Sequence, residues 1–441
     1  MLGGRGAAVS YLMRRTRKAL AGWVDSLQGR SENPPLQPWR PWGDPRTVSI
    51  TPAGMVLGND GGWFQPNPDG GIGYEHMPLT PNWEFEFTRA LASYTQDGRF
   101  VVYIDRNWTA GGSAAATRYQ TYLELERDTD EKENDDGTTT RTVRRRVQLF
   151  LREKGAWFIA GSFGATLDNG QWSKPIAVRV RVYRDRVVIV WIDGTRYLFG
   201  DITDARYNFT GGQRSANFTQ QSGPVVTLTN FATRDVAGLR SNWISHFYDD
   251  FNRPDTTTVG NGWQNAGGEY GIYSGALSMQ SPFLPPGDGF RRAWRGPAPS
   301  ENIRVEVTFG GGTSKPEDLA SAFVVVRANS AMSSGLAFRI QKQQITLMRI
   351  TGVPTSSGAL LELIGQRIPY ILDNPMKLAF HVDGDLAWVD RIDGGRNECL
   401  FWCDGVAGQV LADQRYYGAI HQRFAFTNPA PFNDFRVLNA A

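Results

Sequence analysis

The chain is poor in the residues that most often carry chemistry. Its 441 residues include only two cysteines, Cys399 and Cys403, and four histidines. The cysteine spacing does not match a zinc-binding pattern and has no second pair, so we expect two reduced, partly buried thiols. If both lie on one strand, they point to the same face about 13 Å apart, too far for a disulfide. The histidines are scattered at no metal-binding spacing.

Long hydrophobic runs and an excess of one charge are also missing. No stretch approaches the roughly 20 apolar residues of a membrane span. The 47 basic and 44 acidic side chains leave a net charge of +3, so overall charge gives no argument for nucleic acid. The cluster Arg14, Arg15, Arg17 and Lys18 occupies the place of a signal peptide's apolar region. We therefore expect a protein made in the cytoplasm without a secretory signal.

Turn-forming residues and tryptophan are plentiful. The chain has 49 Gly, 24 Pro and 14 Trp, which indicates many turns between short elements. No Gly-x-Ser-x-Gly elbow and no phosphate-binding loop occurs. The length predicts two or three domains.

Residues 1–30 are predicted to form a basic amphipathic docking helix. Apolar residues recur at helical spacing from Ala7 to Leu27, and the basic cluster lies mostly off their stripe. A lone helix of this length is marginal in water, so the stripe needs a partner. The stripe contains Leu12, Met13, Leu20, Trp23, Val24 and Leu27. Residues 31–46 are rich in proline, which favours an extended tether.

From Thr47 the hydrophobic period changes from helical to two. Trp83-Glu-Phe-Glu-Phe, Tyr122-Leu-Glu-Leu-Glu and Ile176-Ala-Val-Arg-Val alternate apolar and polar residues. Turn signals such as Asp193-Gly194 separate such runs. Many short alternating strands without intervening helices predict an all-β, antiparallel sandwich or barrel, with one face of each strand in a core.

The second half repeats the strand order of the first. Trp83-Glu-Phe corresponds to Ile303-Arg-Val, and the hairpin from Ala177 to Gly194 corresponds to that from Lys377 to Gly394. Further matches, in order, are Phe100 with Phe323, Tyr122 with Leu336, Val147 with Ile345 and Val226 with Pro431. Such a repeat predicts two tandem antiparallel β-sandwich domains, at residues 47–240 and 246–441.

The first copy carries a longer, charged hairpin at residues 128–146. It contains Asp128-Thr-Asp-Glu-Lys-Glu-Asn-Asp-Asp-Gly137 and Arg144-Arg-Arg146. A charge run of this kind is typical of a solvated loop. A calcium site is the alternative, but the spacing of an EF-hand loop is absent. We therefore expect no cofactor, with calcium left open.

The second copy opens with Phe247-Tyr-Asp-Asp-Phe-Asn-Arg-Pro-Asp255 and continues through Trp263 to Tyr270-Gly-Ile. This opening resembles minor tail proteins of long-tailed phages that infect mycobacteria and related actinobacteria. The resemblance covers the second copy from about His246 to the end and implies jelly-roll domains of the concanavalin or laminin-G-like type. It also implies assembly with other tail proteins in a virion tail tip, as an oligomer that is commonly a trimer.

The opening has a physical interpretation as well. Phe251 is expected to tuck under the sandwich edge, while Asp249, Asp250 and Asn252 supply turn hydrogen bonds. In the first copy, Trp42-Gly-Asp44 is the expected counterpart of the opening. This role is structural and requires no chemistry.

Two pairs of acids have the strand spacing that a glycan hydrolase would need. They are Glu84 with Glu86 and Glu124 with Glu126. Both pairs alternate with apolar residues, so we expect them on faces turned away from the core. No catalytic residue is assigned, and the chain is not expected to be an enzyme.

The favoured function is that of a tail-tip protein that docks through its N-terminus and presents lectin-like sandwiches to a host cell-wall glycan or receptor. Sugars stack on aromatic rings, and the candidate rings are Trp63, Trp108, Trp172 and Trp294. The alternatives are an envelope-degrading tail enzyme, a non-viral carbohydrate-binding protein, and a basic helix lying on a membrane.

Overall fold

The computed structural model describes most of the chain. The described residues are 22–32, 35, 38–43, 48–58, 70–74, 80–104, 107–108, 114–115, 119–153, 159–183, 186–202, 216–266, 270–279, 289–310, 320–354, 361–369, 375–393, 398–411, 413–423 and 429–441. Their only helix is α1 (Asn169–Trp172), and antiparallel strands make up the other regular elements. The all-β class predicted from the alternation is confirmed. No described helix is long and apolar enough to cross a membrane.

The chain divides into two compact units, Met1–Leu239 and Arg240–Ala441. The strands of the first unit are β1 (Gly22–Asp25), β2 (Trp39–Gly43), β3 (Val48–Thr51), β4 (Gly54–Leu57), β5 (Gly70–Tyr74), β6 (Trp83–Leu91), β7 (Gly98–Tyr103), β8 (Asn107–Trp108), β9 (Ala114–Ala115), β10 (Tyr119–Glu133), β11 (Thr139–Glu153), β12 (Ile159–Thr166), β13 (Ile176–Tyr183), β14 (Val187–Ile192), β15 (Thr195–Asp201), β16 (Asn217–Ser222) and β17 (Val226–Asp235).

The strands of the second unit are β18 (Trp243–Asp249), β19 (Gln264–Ala266), β20 (Tyr270–Tyr273), β21 (Ala276–Met279), β22 (Gly289–Arg295), β23 (Ile303–Phe309), β24 (Ser321–Ala328), β25 (Gly335–Gln341), β26 (Gln344–Ile350), β27 (Leu361–Pro369), β28 (Met376–Asp383), β29 (Leu386–Arg391), β30 (Glu398–Asp404), β31 (Tyr416–Arg423) and β32 (Phe432–Ala440).

The two units have the same sheet topology. In the first, an eight-stranded sheet runs β15-β14-β13-β6-β17-β4-β3 with β1 on β17, and a seven-stranded sheet runs β12-β11-β10-β7-β16-β5-β2. In the second, the corresponding orders are β30-β29-β28-β23-β32-β21-β20 with β18 on β32, and β27-β26-β25-β24-β31-β22-β19. The short pair β8-β9 belongs to the first unit alone among the described strands.

Each unit is a sandwich because its two sheets share one apolar core. In the first unit, Phe87 of the eight-stranded sheet meets Phe218 of the seven-stranded sheet at 5.0 Å between ring centroids. In the second, Phe338 and Phe380 meet across the sheets at 5.2 Å. All four rings are at most 2% exposed. The alternation in the sequence turns these rings inward on every second residue.

The prediction of an N-terminal docking helix is wrong from Gly22 onward. Residues 22–25 form β1, which pairs antiparallel with β17, and Leu27 is fully buried in the core of the first unit. Trp23 packs against that core, while Val24 is 82% exposed. The apolar spacing fits a strand at this point as well as a helix, and the ladder to β17 satisfies the backbone. Leu12, Met13 and Leu20 lie outside the described residues.

The prediction of a proline-rich tether is also wrong for the part of it that the structure describes. Trp39–Gly43 forms β2, which pairs with β5 at the edge of the seven-stranded sheet. Pro41 has no N–H to donate, and an edge strand tolerates this. Trp39 is 1% exposed and lies 4.8 Å from Phe231 between ring centroids. The first unit therefore starts well before residue 47.

The opening of the second unit is built around the carboxylate of Asp249. It accepts hydrogen bonds from the backbone N–H of Phe251 at 2.9 Å and from the indole N–H of Trp263 at 2.9 Å. Arg253 adds an ion pair at 2.7 Å. Phe251 has a left-handed backbone (φ 51°) and is fully buried. The predicted structural role of this motif is confirmed.

The first unit has the same opening, at Asp25 and not at Trp42-Gly-Asp44. Asp25 accepts from the backbone N–H of Leu27 at 2.9 Å and from the indole of Trp39 at 2.8 Å. Arg30 forms the ion pair, at 2.7 Å, and Leu27 has φ 59°. The sequence hides this match, because Leu27 replaces the phenylalanine and the apolar spacing of the segment also fits a helix.

Two other matches between the copies are shifted by one residue, that of Phe100 with Phe323 and that of Tyr122 with Leu336, because Tyr122 lies in an outer-face cluster and Leu336 in the core. Phe100 points into its core, whereas its supposed match Phe323 packs with a cluster on the opposite face of β24. A bulge in the pairing of β29 with β30 separates the two cysteines in the same way. Cys403 joins the core cluster, whereas Cys399 pairs with Asp390 on the other face. Both are buried thiols, but they lie on opposite faces of β30, whereas the sequence predicted one shared face.

The charged hairpin is a two-stranded ribbon that extends beyond its sheet. β10 and β11 pair along the whole of β10, from Tyr119 to Glu133. Their neighbours stop earlier, because β7 accompanies β10 only as far as Arg127 and β12 ends opposite Arg146. Cross-strand ion pairs line the ribbon, among them Arg141 with Glu131 at 2.8 Å.

Candidate functional site

Two of the four candidate aromatics, Trp172 and Trp294, have side chains within the described structure. Trp63 lies outside the described residues, and Trp108 lies in β8 with its side chain outside them. Trp172 ends α1 and is 2% exposed, and Trp294 on β22 is 9% exposed. The two described rings are therefore packed inside their units and present little open surface to a sugar.

A broad groove lies instead on the outer face of the eight-stranded sheet of the first unit. It has a volume of about 310 Å³ and crosses β17, β6, β13 and β14. Its polar and aromatic lining consists of Glu86, Thr88, Arg179, Trp191 and Asn230. The alternation that places Phe85 and Phe87 in the core turns these β6 side chains outward.

The strand register arranges three of these residues in one row. Arg179 lies directly opposite Glu86 on β6 and directly opposite Trp191 on β14. Side chains at opposed positions of antiparallel strands are about 4.5–5.5 Å apart at their Cβ atoms. A carboxylate, a guanidinium and an indole thus follow one another across the groove.

Trp191 holds the guanidinium of Arg179 in place. The guanidinium carbon lies 4.1 Å from the centroid of the indole, and that of Arg181 lies 5.3 Å from the same ring. Trp191 is 2% exposed because these side chains cover it. Cation–π contacts of this kind contribute about 0.5–2 kcal/mol and restrict the arginine. The groove therefore presents an oriented cation.

In the first acid pair, Glu86 lines the groove, whereas Glu84 lies beside it and is neutralised by arginines. Glu84 is 2% exposed and accepts a hydrogen bond from Arg181 at 2.5 Å, with Arg234 forming a second ion pair. Burial opposes the charge of Arg181, but Tyr183 and Glu84 outweigh it and raise the pKa of the guanidinium. Glu84 is thus a buried structural anion, where a solvated one was expected.

The second acid pair lies on the outer face of the seven-stranded sheet. Glu124 is 2% exposed and accepts a hydrogen bond from Arg99 at 2.6 Å, while Glu126 pairs with Arg146 at 2.6 Å. Burial raises the pKa of Glu124 despite the attraction of Arg99. A raised pKa suits a general acid, but the ion pair with Arg99 ties this carboxyl to a structural partner.

Among the described residues, the second unit does not repeat the lining of the groove. The register places Ala379 and Asp390 where the first unit has Arg179 and Trp191. Its outer face carries a closed stack in which His381 lies 4.4 Å from Trp388, ring to ring. Asp390 contacts His381 at 3.1 Å, and all three side chains are at most 1% exposed. This stack has no room for a ligand between its rings.

No metal centre is evident in the described part of the chain. No group of three or more His, Cys, Asp or Glu residues is placed to hold an ion among the residues described.

Comparison with known proteins finds no matching family model and no matching curated protein. Among solved structures, the carbohydrate-binding module CBM66 from Bacillus subtilis is similar to this chain. The match covers 39% of this chain and 91% of the module, with 11% sequence identity and a TM-score of 0.28. The VIP36 exoplasmic/lumenal domain with Ca²⁺ and Man3GlcNAc bound matches 51% and 93%, at 14% identity and TM-score 0.33.

A legume lectin-like domain from Entamoeba histolytica matches 47% of this chain and 97% of its own, at 9% identity and TM-score 0.29. The apo Crh5 transglycosylase is similar at the same level, with 9% identity and TM-score 0.31. Likenesses at these TM-scores do not bear on function, and they include both carbohydrate-binding domains and an enzyme.

Proposed function

We propose that this chain is a minor tail protein of a phage tail tip whose first sandwich binds a saccharide of the host cell envelope. The observation that carries the binding role is the row Glu86, Arg179 and Trp191 in the groove of the eight-stranded sheet. The tail role rests on the resemblance of the opening at Asp249 to phage tail proteins. The same arrangement at Asp25 supports two copies of one domain.

The groove has the chemistry that saccharide hydroxyls require. Glu86 accepts hydrogen bonds, Arg179 donates them, and Thr88 and Asn230 do both. Because Trp191 holds the Arg179 guanidinium in place, less side-chain entropy is lost on binding. An open groove of about 310 Å³ suits an extended chain of sugars passing over the sheet.

The remaining roles follow from a position in a virion. Residues 1–21, which precede β1, would contact other tail proteins, and the chain would assemble as a homo-oligomer in the tail tip. Several grooves on one particle would give avidity even if each site is weak. No nucleic acid is expected as a partner.

Binding of the full-length chain to purified host cell-wall polysaccharide tests the proposal. Arg179→Ala should lower the affinity about tenfold or more. Arg141→Ala is the matched control, because Arg141 is an ion-paired arginine of the same unit on the exposed ribbon. Equal affinities of both variants and the wild type, at unchanged unfolding temperature, would remove the groove from consideration. Absence of the chain from purified virions by mass spectrometry would remove the tail role.

A glycan-degrading function is the second candidate. It rests on Glu124, whose pKa burial raises, and on Glu126, which follows at strand spacing on the same face. Release of reducing sugars from cell walls by the wild type, abolished by Glu124→Gln, would establish it. No release by the wild type would exclude it for that substrate.

A further inference from the structure

A second cavity of the first unit contains a buried arginine without a counter-charge. Arg89, on β6, points into the sandwich at the end of the core and is 1% exposed. The cavity beside it is small, with about 10 Å³ open to the centre of a water-sized sphere, and is lined by Arg89, Trp172, Gln220 and Phe100, with Gln96 at its exposed rim. It is separate from the groove proposed above, whose lining lies on the outer face of the sheet.

Several polar atoms around this cavity are unsatisfied. The Nε and one Nη of Arg89 have no hydrogen-bond partner, nor has the indole N–H of Trp172. The guanidinium carbon of Arg89 lies 4.4 Å from the centroid of the Trp172 ring. Three donors from two side chains thus share one small space. Gln220 adds an amide whose oxygen is also unpartnered.

Nothing described in the chain neutralises the charge. Burial lowers the pKa of Arg89 to about 9, and Tyr94 is the only other described group that acts on it. The guanidinium is therefore still protonated at neutral pH. Burying an unpaired charge costs several kcal/mol, and natural proteins pair such charges.

The fold does not require a cation at this position. Arg89 lies opposite Ile176 and Leu228, and the register of the second unit places Phe309 opposite Met376 and Phe432 in the same way. Phe309 is fully buried and belongs to the apolar core. The second unit fills this place with a ring, whereas the first unit has a donor-lined cavity there.

We propose that the cavity at Arg89 and Trp172 binds one small monovalent anion, either a halide or a single carboxylate group. The guanidinium and the indole N–H donate to it, and the aromatic and aliphatic walls exclude water. Gln96 marks the entrance at the surface.

Thermal unfolding of the full-length chain at constant ionic strength tests this. Chloride and acetate are each exchanged against gluconate, which is too large for the cavity. At ten times the dissociation constant, the anion should raise the unfolding temperature of the first unit by about 3–6 °C. A shift with chloride alone identifies a halide site, and a shift with acetate identifies a carboxylate site. No shift with either anion overturns the proposal.

Two variants separate this site from general salt effects. Arg89→Phe introduces the residue of the second unit and should abolish the shift. Arg179→Ala removes another arginine that stacks on a tryptophan, in the groove, and should keep the shift. An equal shift in Arg89→Phe would overturn the proposal. If Arg89→Phe does not fold, the wild type is crystallised in bromide. An anomalous peak beside Arg89 and Trp172 would support the site, and its absence would overturn the proposal.

Discussion

The indole N–H of Trp39 donates a hydrogen bond to Asp25 at 2.8 Å, as that of Trp263 does to Asp249 at 2.9 Å. In both units this bond joins the first strand of the eight-stranded sheet to the entry of the edge strand of the other sheet. A single buried carboxylate thereby anchors the opening of each sandwich.

Replacing this carboxylate should destabilise one unit selectively. Asp249→Asn keeps the shape but leaves a buried donor facing Arg253 and Trp263, so we expect a loss of about 2–4 kcal/mol in the second unit. Asp250→Asn is the control, because Asp250 bonds only the exposed N–H of Asn252. Calorimetry of the full-length chain should show one transition lowered. Equal transitions in the two variants would contradict the anchoring role.

The same carboxylate predicts acid sensitivity. Burial works against the charge of Asp249, but hydrogen bonds from Arg253, Phe251 and Trp263 outweigh it and lower its pKa. The native state therefore holds its proton less readily than the unfolded chain, whose aspartates have a pKa of about 3.9. Its stabilisation is complete above that value and is lost as the pH falls further. Asp249→Asn should show a smaller loss of stability between about pH 4 and pH 2.

His421 should make the stability of the second unit depend on pH in a range above that of Asp249. It is fully buried, and burial lowers its pKa to about 3. Above pH 6.5 both states hold the neutral ring, so stability does not change through this group. Between pH 6.5 and 3 only the unfolded chain binds the proton, and stability should fall by about 1.4 kcal/mol per pH unit.

The variant His421→Gln tests this dependence. It introduces the residue that the first unit has at the equivalent position. His421 lies opposite Ala322 on the neighbouring strand, and in the first unit Gln220 lies opposite Phe100 in the same way. Urea unfolding of the second unit at pH 7 and pH 4.5 should differ less in the variant than in the wild type. Parallel pH profiles would show that another group is responsible.

Trp294→Ala should act on stability and not on recognition. The ring packs with Phe323, Val325 and Ile420 on the outer face of β22 and its neighbours. Removing a buried tryptophan costs about 3–5 kcal/mol, so the unfolding temperature of the second unit should drop. Binding to cell walls should persist at temperatures where the variant is folded. A specific loss of binding in the folded variant would restore Trp294 as a contact residue.

The charged ribbon should be dispensable for folding. Residues 131–141 pair only with each other and are largely exposed. Replacing them by Asn-Gly, a favoured two-residue hairpin turn, should change the unfolding temperature by less than about 2 °C. Trypsin should cut the wild type first at Lys132 and Arg141. A larger drop on truncation would show that the ribbon packs against its own sandwich.

Alternation in the sequence was enough to predict the strands around Trp83, Tyr122 and Ile176, because a half-buried strand must place apolar residues on every second position. The same signal failed at Trp23, Val24 and Leu27. Those three residues fit a helical stripe and a strand equally well, and pairing with β17, more than 200 residues away, decided between them.

The groove could not be predicted in the same way. Glu86, Arg179 and Trp191 are far apart in the chain, and only the register of β6, β13 and β14 brings them into one row. Arg89 gave no signal either, since an arginine at the end of an alternating strand reads as a solvent-exposed residue. Its burial depends on α1, which covers the end of the sandwich with Trp172.

The sequence by itself determined the all-β class and the repeated strand order, because both depend on local periodicity and on the order of elements. Tertiary structure decided where each domain begins, which acids are neutralised by arginines, and where a ligand could bind. These features depend on contacts between distant strands, where a shift of one residue moves a side chain from the core to the opposite face.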